Sequence, residues 1–287
     1  MHLTDTDDNA DNLPHFGWHR PMVIPSIDPI GSGNVYIVGL EARERPQSYE
    51  VSRYHRRMSP DNARFGRLLL AVAAESEARA ILSACDADPR WAQTQWLAHR
   101  LADDRDLVVT GIGKANAAGA VSRVAASTEY SLIISLGVAG ALPGSALNIG
   151  DAVVAVRSVF ADEGLVTPER FEPMSELGFA PAPGLTDQSV PSDTEAAGAY
   201  LSLSGAAAGP IATVSTCSGT DERAAEIVAR TGALAEAMEG AAVGLVAHRF
   251  GIRFAEVRLI SNTTGLRSDQ VWDLPAALAG LRGVLGR

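Results

Sequence analysis

Apolar segments of strand length alternate with helical segments along the chain from residue 68 onward. Most of the apolar segments are continuous, which is typical of parallel strands that are buried on both faces of a sheet. We therefore predict a single three-layer α/β/α domain around a central, mostly parallel mixed sheet. The predicted strands are 68–73, 106–110, 132–136, 152–160, 211–215, 233–237 and 253–260, and the predicted helices are 75–84, 115–126, 222–230, 239–250 and 275–285.

Two stretches of the chain depart from this alternation. Residues 161–209 are rich in proline, glycine and serine and are predicted to loop over a site, with room for short strands. Residues 1–66 show no sustained periodicity and hold four of the six histidines. We expect them to be an N-terminal extension, either a flexible tail or the result of a misassigned start, with translation beginning at Met58. The domain itself is then expected to span 67–287.

The charge balance narrows the partners of this chain. It has 34 acidic and 24 basic residues, a formal charge of −10, which argues against a nucleic acid or an anionic membrane as the main partner. The two cysteines fit a reducing compartment, and the N-terminus begins with acidic residues, unlike a signal peptide. No apolar run approaches the roughly 20 residues that cross a bilayer. We therefore predict a cytoplasmic protein.

The segments that follow the predicted strands are the place to look for ligands, because parallel sheets bind them at the carboxyl ends of their strands. The glycines of 111–114 lack Walker A spacing, and those of 137–140 lack the dinucleotide-binding spacing, so both groups allow ordinary tight turns. His99 and His248 are isolated along the chain, with no recurring cysteine or histidine spacing. We expect neither a metal nor a cofactor.

Three carboxylates and one amide are more informative. Glu75 and Glu77 open one predicted helix and Glu239 opens another, where the helix dipole alone would favour negative charge. The alternative is a shared role at the ligand edge, where one carboxylate accepts sugar hydroxyls and another activates water. Asn262 follows the last strand and offers both a donor and an acceptor, as a nucleobase requires. The first and third of these segments contain no lysine or arginine for a phosphate.

Residues 68–287 contain a series of short motifs, namely Ala73–Glu77, Gly111–Asn116, Ser135–Gly140, Leu147–Asp151, Ala237–Ala242 and Arg258–Asn262. Taken in order, these motifs resemble the purine nucleosidase and nucleoside phosphorylase superfamily, which implies a nucleoside phosphorylase-like fold. Three further motifs are Phe160–Gly164, Ser215–Thr220 and Ile260–Asn262 with Trp272. Within the superfamily, they are most similar to the futalosine hydrolases of the alternative menaquinone pathway.

The resemblance implies three catalytic residues. Glu77 matches the glutamate that activates the attacking water, and Arg258 matches the arginine that helps to hold that water and the glutamate. Asn262 stands where adenine-specific nucleosidases of the superfamily carry aspartate. Because an amide can donate to N7 and O6 of a 6-oxopurine, asparagine here favours hypoxanthine over adenine.

The resemblance also implies the residues that bind substrate. Met238 lies under the ribose and Glu239 accepts the ribose hydroxyls. The segment 215–220 matches the wall that packs on the base, and we expect Phe160 to face it. The implied substrate-binding residues are Met238, Glu239, Ser215, Thr216, Cys217, Phe160, Val138, Ala139 and Gly140.

The departures from the superfamily pattern favour hydrolysis over phosphorolysis. Phosphorylases carry arginines where this chain has Ala74 and Ser135, and methylthioadenosine-type nucleosidases carry a serine where it has Val138. The expected reaction is hydrolysis of futalosine to hypoxanthine and dehypoxanthine futalosine. Alternatives are a nucleosidase for methylthioadenosine, adenosylhomocysteine or aminodeoxyfutalosine, a phosphorylase, and a non-catalytic nucleoside-binding protein. The resemblance further implies a homo-oligomer. Arg267 is either the cation for the benzoate end of futalosine or an ordinary surface arginine.

Overall fold

Nine strands form one mixed sheet in the computed structural model, which describes residues 66–285. The expectations for the N-terminal extension lie outside the described residues. The strands are β1 (Leu68–Val72), β2 (Ala98–Ala102), β3 (Arg105–Val109), β4 (Leu132–Ala141), β5 (Ala152–Phe160), β6 (Gly164–Val166), β7 (Phe171–Pro173), β8 (Ser189–Pro191), β9 (Ala207–Thr213), β10 (Ala235–Ala237) and β11 (Arg253–Thr263). The helices are α1 (Glu75–Ala84), a 3₁₀ helix (Pro89–Gln93), α2 (Lys114–Ala125), α3 (Thr194–Tyr200), α4 (Asp221–Thr231), α5 (Gly240–Phe250) and α6 (Leu274–Val284).

The strand order is β10-β9-β5-β11-β4-β1-β3-β2, with β8 beside β5 and with β6 and β7 in a separate hairpin. Parallel pairing joins β3 to β1, β1 to β4, β4 to β11, β5 to β9 and β9 to β10. Antiparallel pairing joins β11 to β5, β2 to β3, β5 to β8 and β10 to β4. Because β10 pairs with both β9 and β4, the strands β4, β11, β5, β9 and β10 close into a ring. The predicted mixed sheet is confirmed.

Helices cover both faces of the sheet, and this explains why every residue of β1 is apolar. Leu68, Leu70 and Val72 pack in one cluster with α1, α3 and α6, whereas Leu69 and Ala71 pack in a second cluster with α2 and α5. Alternate residues of a strand face opposite sides, so a strand between two helical layers needs apolar residues at every position. The predicted three layers therefore follow from the burial of both faces.

Two strands run further than predicted. β4 continues beyond 136 to Ala141, and β11 continues beyond 260 to Thr263. The predicted strand ends at 136 and 260 are therefore wrong, because 137–141 and 261–263 belong to the strands. The two strands pair with each other along this whole length, with an irregularity between Ile260 and Asn262. This pairing outweighs the low strand propensity of glycine and asparagine.

The segment 161–209 is more ordered than a loop, since it contains β6, β7, β8, α3 and the first residues of β9. β2 and the 3₁₀ helix were also absent from the sequence prediction. β2 alternates exposed and half-buried residues at the sheet edge, so it lacks the continuous apolar run of the central strands. The remaining predicted strands and helices are present with shifts of a few residues at their ends.

Candidate active site

Glu77 is held rigidly between a helix N-terminus and a strand. Its Oε2 accepts hydrogen bonds from the backbone N–H groups of Ala73 (3.0 Å) and Ala74 (2.9 Å), just before and at the start of α1. Its Oε1 accepts one from the backbone N–H of Val138 in β4 at 2.9 Å. The side chain is 3% exposed. Burial raises the pKa of Glu77, although Arg258 and the backbone N–H donors partly oppose this.

Glu75 lies outside this arrangement, although it is only two positions away on the same helix. It is exposed and accepts a hydrogen bond from Nε of Arg79 at 2.8 Å, one helical turn further on. The hydrogen bond from Arg79 lowers the pKa of Glu75. The structure therefore separates the two glutamates: Glu77 faces the interior and Glu75 forms a surface ion pair.

Arg258 of β11 is 1% exposed and faces several carboxylates. Its Nε donates to Glu256 Oε1 at 2.8 Å, and its Nη2 donates to Ser135 Oγ at 2.9 Å. Its Nη1 lies 3.6 Å from Oε2 of Glu239. Burial alone would lower the pKa of Arg258. The nearby carboxylates have the larger, opposite effect, so the pKa is raised.

Gly137 leaves space for the side chains of Glu77 and Arg258 to approach the same point of β4. The strand register places Arg258 opposite Gly137 in β4. A Cβ atom on Gly137 would lie 2.5 Å from Oε1 of Glu77 and 2.6 Å from Nη1 of Arg258. Any side chain at this position would therefore force the two charged groups apart.

Glu239 is the N-cap residue of α5 and is 7% exposed. Its Oε1 accepts a hydrogen bond from the backbone N–H of Gly113 at 3.0 Å, and Gly113 has a φ of +91° that suits glycine. Its Oε2 accepts a hydrogen bond of 3.3 Å from the backbone N–H of Met238, a half-buried residue. The loop before α2 is thus tied to the carboxylate that the resemblance assigns to the ribose.

Asn262 is 7% exposed and lies in β11, beyond the strand irregularity. Its Nδ2 donates to the carbonyl of Thr263 at 2.9 Å, and its Oδ1 accepts from the Ser261 hydroxyl at 2.8 Å. A Cβ on Gly140 would lie 3.0 Å from Nδ2 of Asn262, so the second glycine of β4 borders this amide. Ala139 is buried beside it, and its carbonyl accepts from the Ser261 hydroxyl at 3.2 Å.

The segment that follows β9 exposes Ser215, Thr216 and Cys217. Asp162 holds this segment, because its Oδ2 accepts hydrogen bonds from the backbone N–H groups of Ser215 (2.5 Å) and Thr216 (3.2 Å). Lys114 contacts the other oxygen of Asp162 at 2.5 Å. The pKa of Asp162 is lowered despite its burial, because Lys114 and these N–H groups stabilise the carboxylate.

Phe160 lies at the end of β5 and is 4% exposed, within the core cluster of α2 and α5. The Nζ atom of Lys114 lies 5.6 Å from the centre of its ring. Lys114 is the only lysine of the chain. It begins α2, directly after Gly113, and so links the Glu239 side of the site to the exposed segment held by Asp162.

Glu256 and Asp162 are the site residues that sequence reasoning missed. Asp162 lies inside a motif that was noted only as a resemblance. Glu256 had a visible signal, because it is an acid within the apolar run of β11 and lies two residues from Arg258. That spacing places both side chains on one face of a strand.

Among residues 66–285, no group of three or more histidine, cysteine, aspartate or glutamate side chains is arranged to hold a metal ion. His99 stacks on Trp91 instead, with ring centroids 5.0 Å apart. None of the helices described in 66–285 is long and apolar enough to cross a membrane.

Comparison with known sequences identifies the family of this chain. The phosphorylase superfamily profile matches residues 99–279. The futalosine hydrolase of Acidothermus cellulolyticus is 37% identical over 74% of this chain and 86% of its own length. That of Streptomyces coelicolor is 36% identical over 66% of this chain and 80% of its own length. The chain belongs to the futalosine hydrolase family. It is therefore a hydrolase, and the predicted superfamily is confirmed.

A second group of relatives matches the chain at lower sequence identity and over less of its length. The 5'-methylthioadenosine/S-adenosylhomocysteine nucleosidase of Bacillus subtilis is 32% identical over 58% of this chain and 71% of its own length. The structure of the Neisseria meningitidis enzyme of that name, in complex with methylthio-immucillin-A, superposes with a TM-score of 0.56. It is 22% identical and covers 76% of this chain and 95% of that one. This likeness confirms the nucleoside phosphorylase-like fold.

Proposed function

We propose that this chain hydrolyses the N-glycosidic bond of futalosine, releasing hypoxanthine and dehypoxanthine futalosine, as a step of menaquinone biosynthesis. The observation that carries the proposal is the buried Glu77, fixed by three backbone N–H donors beside Arg258. A general base must be positioned within reach of the proton that it takes. The identity to futalosine hydrolases supports the choice of substrate.

In this mechanism the ionised Glu77 takes a proton from a water molecule while the water oxygen forms a bond to C1′ of the ribose. The bond between C1′ and the purine nitrogen breaks as positive charge grows on the sugar. Its electron pair leaves with hypoxanthine, which then takes up a proton. Glu239 accepts hydrogen bonds from the ribose hydroxyls and so orients the sugar, while Met238 lies under it.

Asn262 stabilises the departing base. Its amide nitrogen carries two N–H donors, and the carbonyl of Thr263 uses one of them. We assign the other to N7 or O6 of hypoxanthine, where negative charge develops as the bond breaks. Ser215, Thr216 and Cys217 would then pack on the base, with Phe160 behind them and with Val138, Ala139 and Gly140 beneath the ring.

Water is preferred over phosphate as the nucleophile. Ala74 and Ser135 occupy the positions where phosphorylases carry arginine, and the Ser135 hydroxyl accepts a hydrogen bond from Arg258. The guanidinium of Arg258 already forms ion pairs with Glu239 and Glu256, and the residue is 1% exposed. This leaves little positive charge for an anionic nucleophile.

The benzoate of futalosine requires a cation, and Arg267 is the candidate. It is exposed, its guanidinium lies 4.9 Å from the ring centre of Trp272, and its Nη1 donates to Gln270 at 2.8 Å. An arginine stacked on an aromatic ring is partly preorganised for a carboxylate. A neighbouring subunit is the alternative source of the cation.

We also propose that the active protein is a cytoplasmic homo-oligomer. Large apolar side chains near the site loops are exposed, and a second copy of the chain would cover them: Ile112 (61%), Val271 (59%) and Trp272 (53%). Both cysteines are free thiols, as expected in a reducing compartment. Light scattering of the purified protein would measure its mass, and a monomer would contradict this part of the proposal.

One assay tests the function. The purified protein is incubated with futalosine, aminodeoxyfutalosine and methylthioadenosine, each with and without phosphate, and the released base is identified by chromatography. We expect hypoxanthine from futalosine at a rate that does not depend on phosphate. Faster release of adenine would instead support an aminodeoxyfutalosine nucleosidase, or a methylthioadenosine nucleosidase like the Bacillus relatives of that name. Binding without base release would indicate a non-catalytic binding protein.

A further inference from the structure

Glu256 is a buried carboxylate that the mechanism above does not use. It is 0% exposed, and its Oε1 accepts a hydrogen bond from Nε of Arg258 at 2.8 Å. Its Oε2 accepts a hydrogen bond from the hydroxyl of Ser158, which is fully buried in β5. A buried charge is costly unless it is paired and hydrogen-bonded, and both oxygens of Glu256 meet that condition.

The start of α5 is shaped around this carboxylate. A Cβ atom on Gly240, the first residue of α5, would clash with both oxygens of Glu256. Gly240 directly follows Glu239, so Glu256 lies against the same helix N-terminus that positions the proposed ribose-binding carboxylate. Glycine at this position is therefore explained by the close approach of Glu256.

The charges around Arg258 do not balance. One guanidinium lies 2.8 Å from Glu256 and 3.6 Å from Glu239. It is also close enough to Glu77, beside Gly137, for the two charges to interact. The charged groups that influence Glu256 among the described residues are Arg258 and Glu239, whereas β5 presents the neutral Ser158. Three carboxylates thus share one cation in a site that excludes most solvent.

We propose that Glu256 is a positioning residue that holds the guanidinium of Arg258 in place. Its negative charge also offsets part of the electrostatic stabilisation that Arg258 gives to the Glu77 carboxylate. This inference rests on the proposed role of Glu77 as the base. With Glu256 ionised, Arg258 stabilises the Glu77 carboxylate less than an unshared arginine would. Glu77 then remains a stronger proton acceptor for water.

The expected size of this effect follows from general electrostatics. An opposite charge within about 4–6 Å lowers the pKa of a carboxylate by about 1–3 units. A general base works best when its pKa lies near the working pH, so a full salt bridge to Arg258 would make Glu77 a weaker base. Burial raises the pKa of Glu256 as well, although Arg258 and Ser158 oppose this. An ionised Glu256 beside Arg258 therefore limits how far Arg258 lowers the pKa of Glu77, so Glu77 remains an effective base.

The test is Glu256→Gln, which removes the charge and retains the shape. A glutamine oxygen can still accept from Arg258 and its amide N–H can donate to Ser158. We expect the acidic limb of the kcat/KM profile for futalosine to move about one pH unit lower, because Arg258 then acts fully on Glu77. Ser158→Ala is a graded second variant: it removes a hydrogen bond that stabilises the Glu256 carboxylate but leaves the carboxyl group in place, so the limb should move less than in Glu256→Gln.

A second measurement does not depend on activity. The side-chain carboxyl of Glu77 is titrated by ¹³C NMR in the full-length protein, with the resonance assigned by comparison with Glu77→Gln. A midpoint that falls in Glu256→Gln supports the inference even if futalosine is not the substrate. Absence of hypoxanthine release from the unmodified protein would contradict the proposed function alone.

Two results would overturn the role of Glu256. One is a folded Glu256→Gln protein in which the titration midpoint of Glu77 is unchanged or higher. The other is a loss of activity without any movement of the pH profile, which is the pattern of a merely structural residue. If Glu256→Gln does not fold, Glu256→Asp takes its place. The shorter side chain withdraws the carboxylate from Arg258, so a smaller shift in the same direction is expected.

Discussion

The carboxylate of Glu77 in α1 accepts a hydrogen bond of 2.9 Å from the backbone N–H of Val138 in β4. Its other oxygen is bound at the N-terminus of its own helix. The side chain therefore bridges a helix and the central strand of the sheet, and its orientation does not depend on a mobile loop. Such fixed placement is what a water-activating base requires.

Replacing Glu77 tests this placement. Glu77→Gln removes the proton acceptor, and we expect kcat for futalosine to fall by about 10²- to 10⁴-fold. Glu75→Gln is the matched control on the same helix, because Glu75 is exposed and paired with Arg79. It should retain near-normal turnover. The opposite ranking of the two variants would show that the base is Glu75.

Gly137 provides a steric test of the same site. In Gly137→Ala the new methyl group would lie 2.5 Å from Glu77 Oε1 and 2.6 Å from Arg258 Nη1. These distances are shorter than van der Waals contact, so Glu77 and Arg258 must move. A displacement of about 1 Å in catalytic groups should lower kcat/KM by about 10²-fold. Gly198→Ala in α3 has nothing within 4 Å of the added atom and should behave as the parent protein. Equal activity of both variants would argue against the Glu77–Arg258 arrangement.

Asn262→Asp tests base recognition. A protonated aspartate at this position would donate to N7 and suit the exocyclic amine of adenine, whereas the amide suits a 6-oxopurine. We expect the ratio of kcat/KM for futalosine to that for aminodeoxyfutalosine to fall by about tenfold or more. The measurement is a competition assay with both nucleosides in one tube. An unchanged ratio would place base selection elsewhere.

Arg267→Ala tests the benzoate contact. Loss of a hydrogen bond to a charged group should raise KM for futalosine by about tenfold while kcat changes little. A hypoxanthine nucleoside without the benzoate serves as the control substrate, and its KM should not change. If KM rises for both substrates, or for neither, Arg267 is not the benzoate ligand.

The buried carboxylates also predict how stability depends on pH. The pKa of Glu256 is raised in the folded protein above its ordinary value of 4.5. Its stabilising contribution is therefore complete below that value and is lost as the pH rises through the raised folded pKa. A glutamine at this position cannot ionise. We therefore expect the Tm of Glu256→Gln minus the Tm of the parent protein to increase as the pH rises from 5 to 8.

The control for this prediction is Glu222→Gln at the start of α4. The pKa of Glu222 is lowered, so its contribution is present above the ordinary value of 4.5 and is lost only at more acidic pH. The Tm difference between Glu222→Gln and the parent protein should stay constant from pH 5 to 8. Calorimetry of all three proteins measures both differences, and a constant difference for Glu256→Gln would contradict the prediction.

Local pattern was sufficient for much of this molecule. The limits predicted for α1 and β5 agree with the structure, because apolar periodicity and helix-starting acids are properties of neighbouring residues. The same pattern identified the alternation of strands and helices and therefore the layered fold. Glu77, Glu239, Arg258 and Asn262 were all named from motifs, although their roles stay predictions.

Tertiary pairing decided the rest. Only the register between β4 and β11 shows that Arg258 faces Gly137, that Glu256 faces Ser135, and that the glycine and asparagine segments are strands. A helix dipole favours both Glu75 and Glu77, so the sequence alone could not say which of them is buried. The sharing of one arginine by three carboxylates arises from residues far apart in the chain, because electrostatic interactions depend on distance in space and on burial.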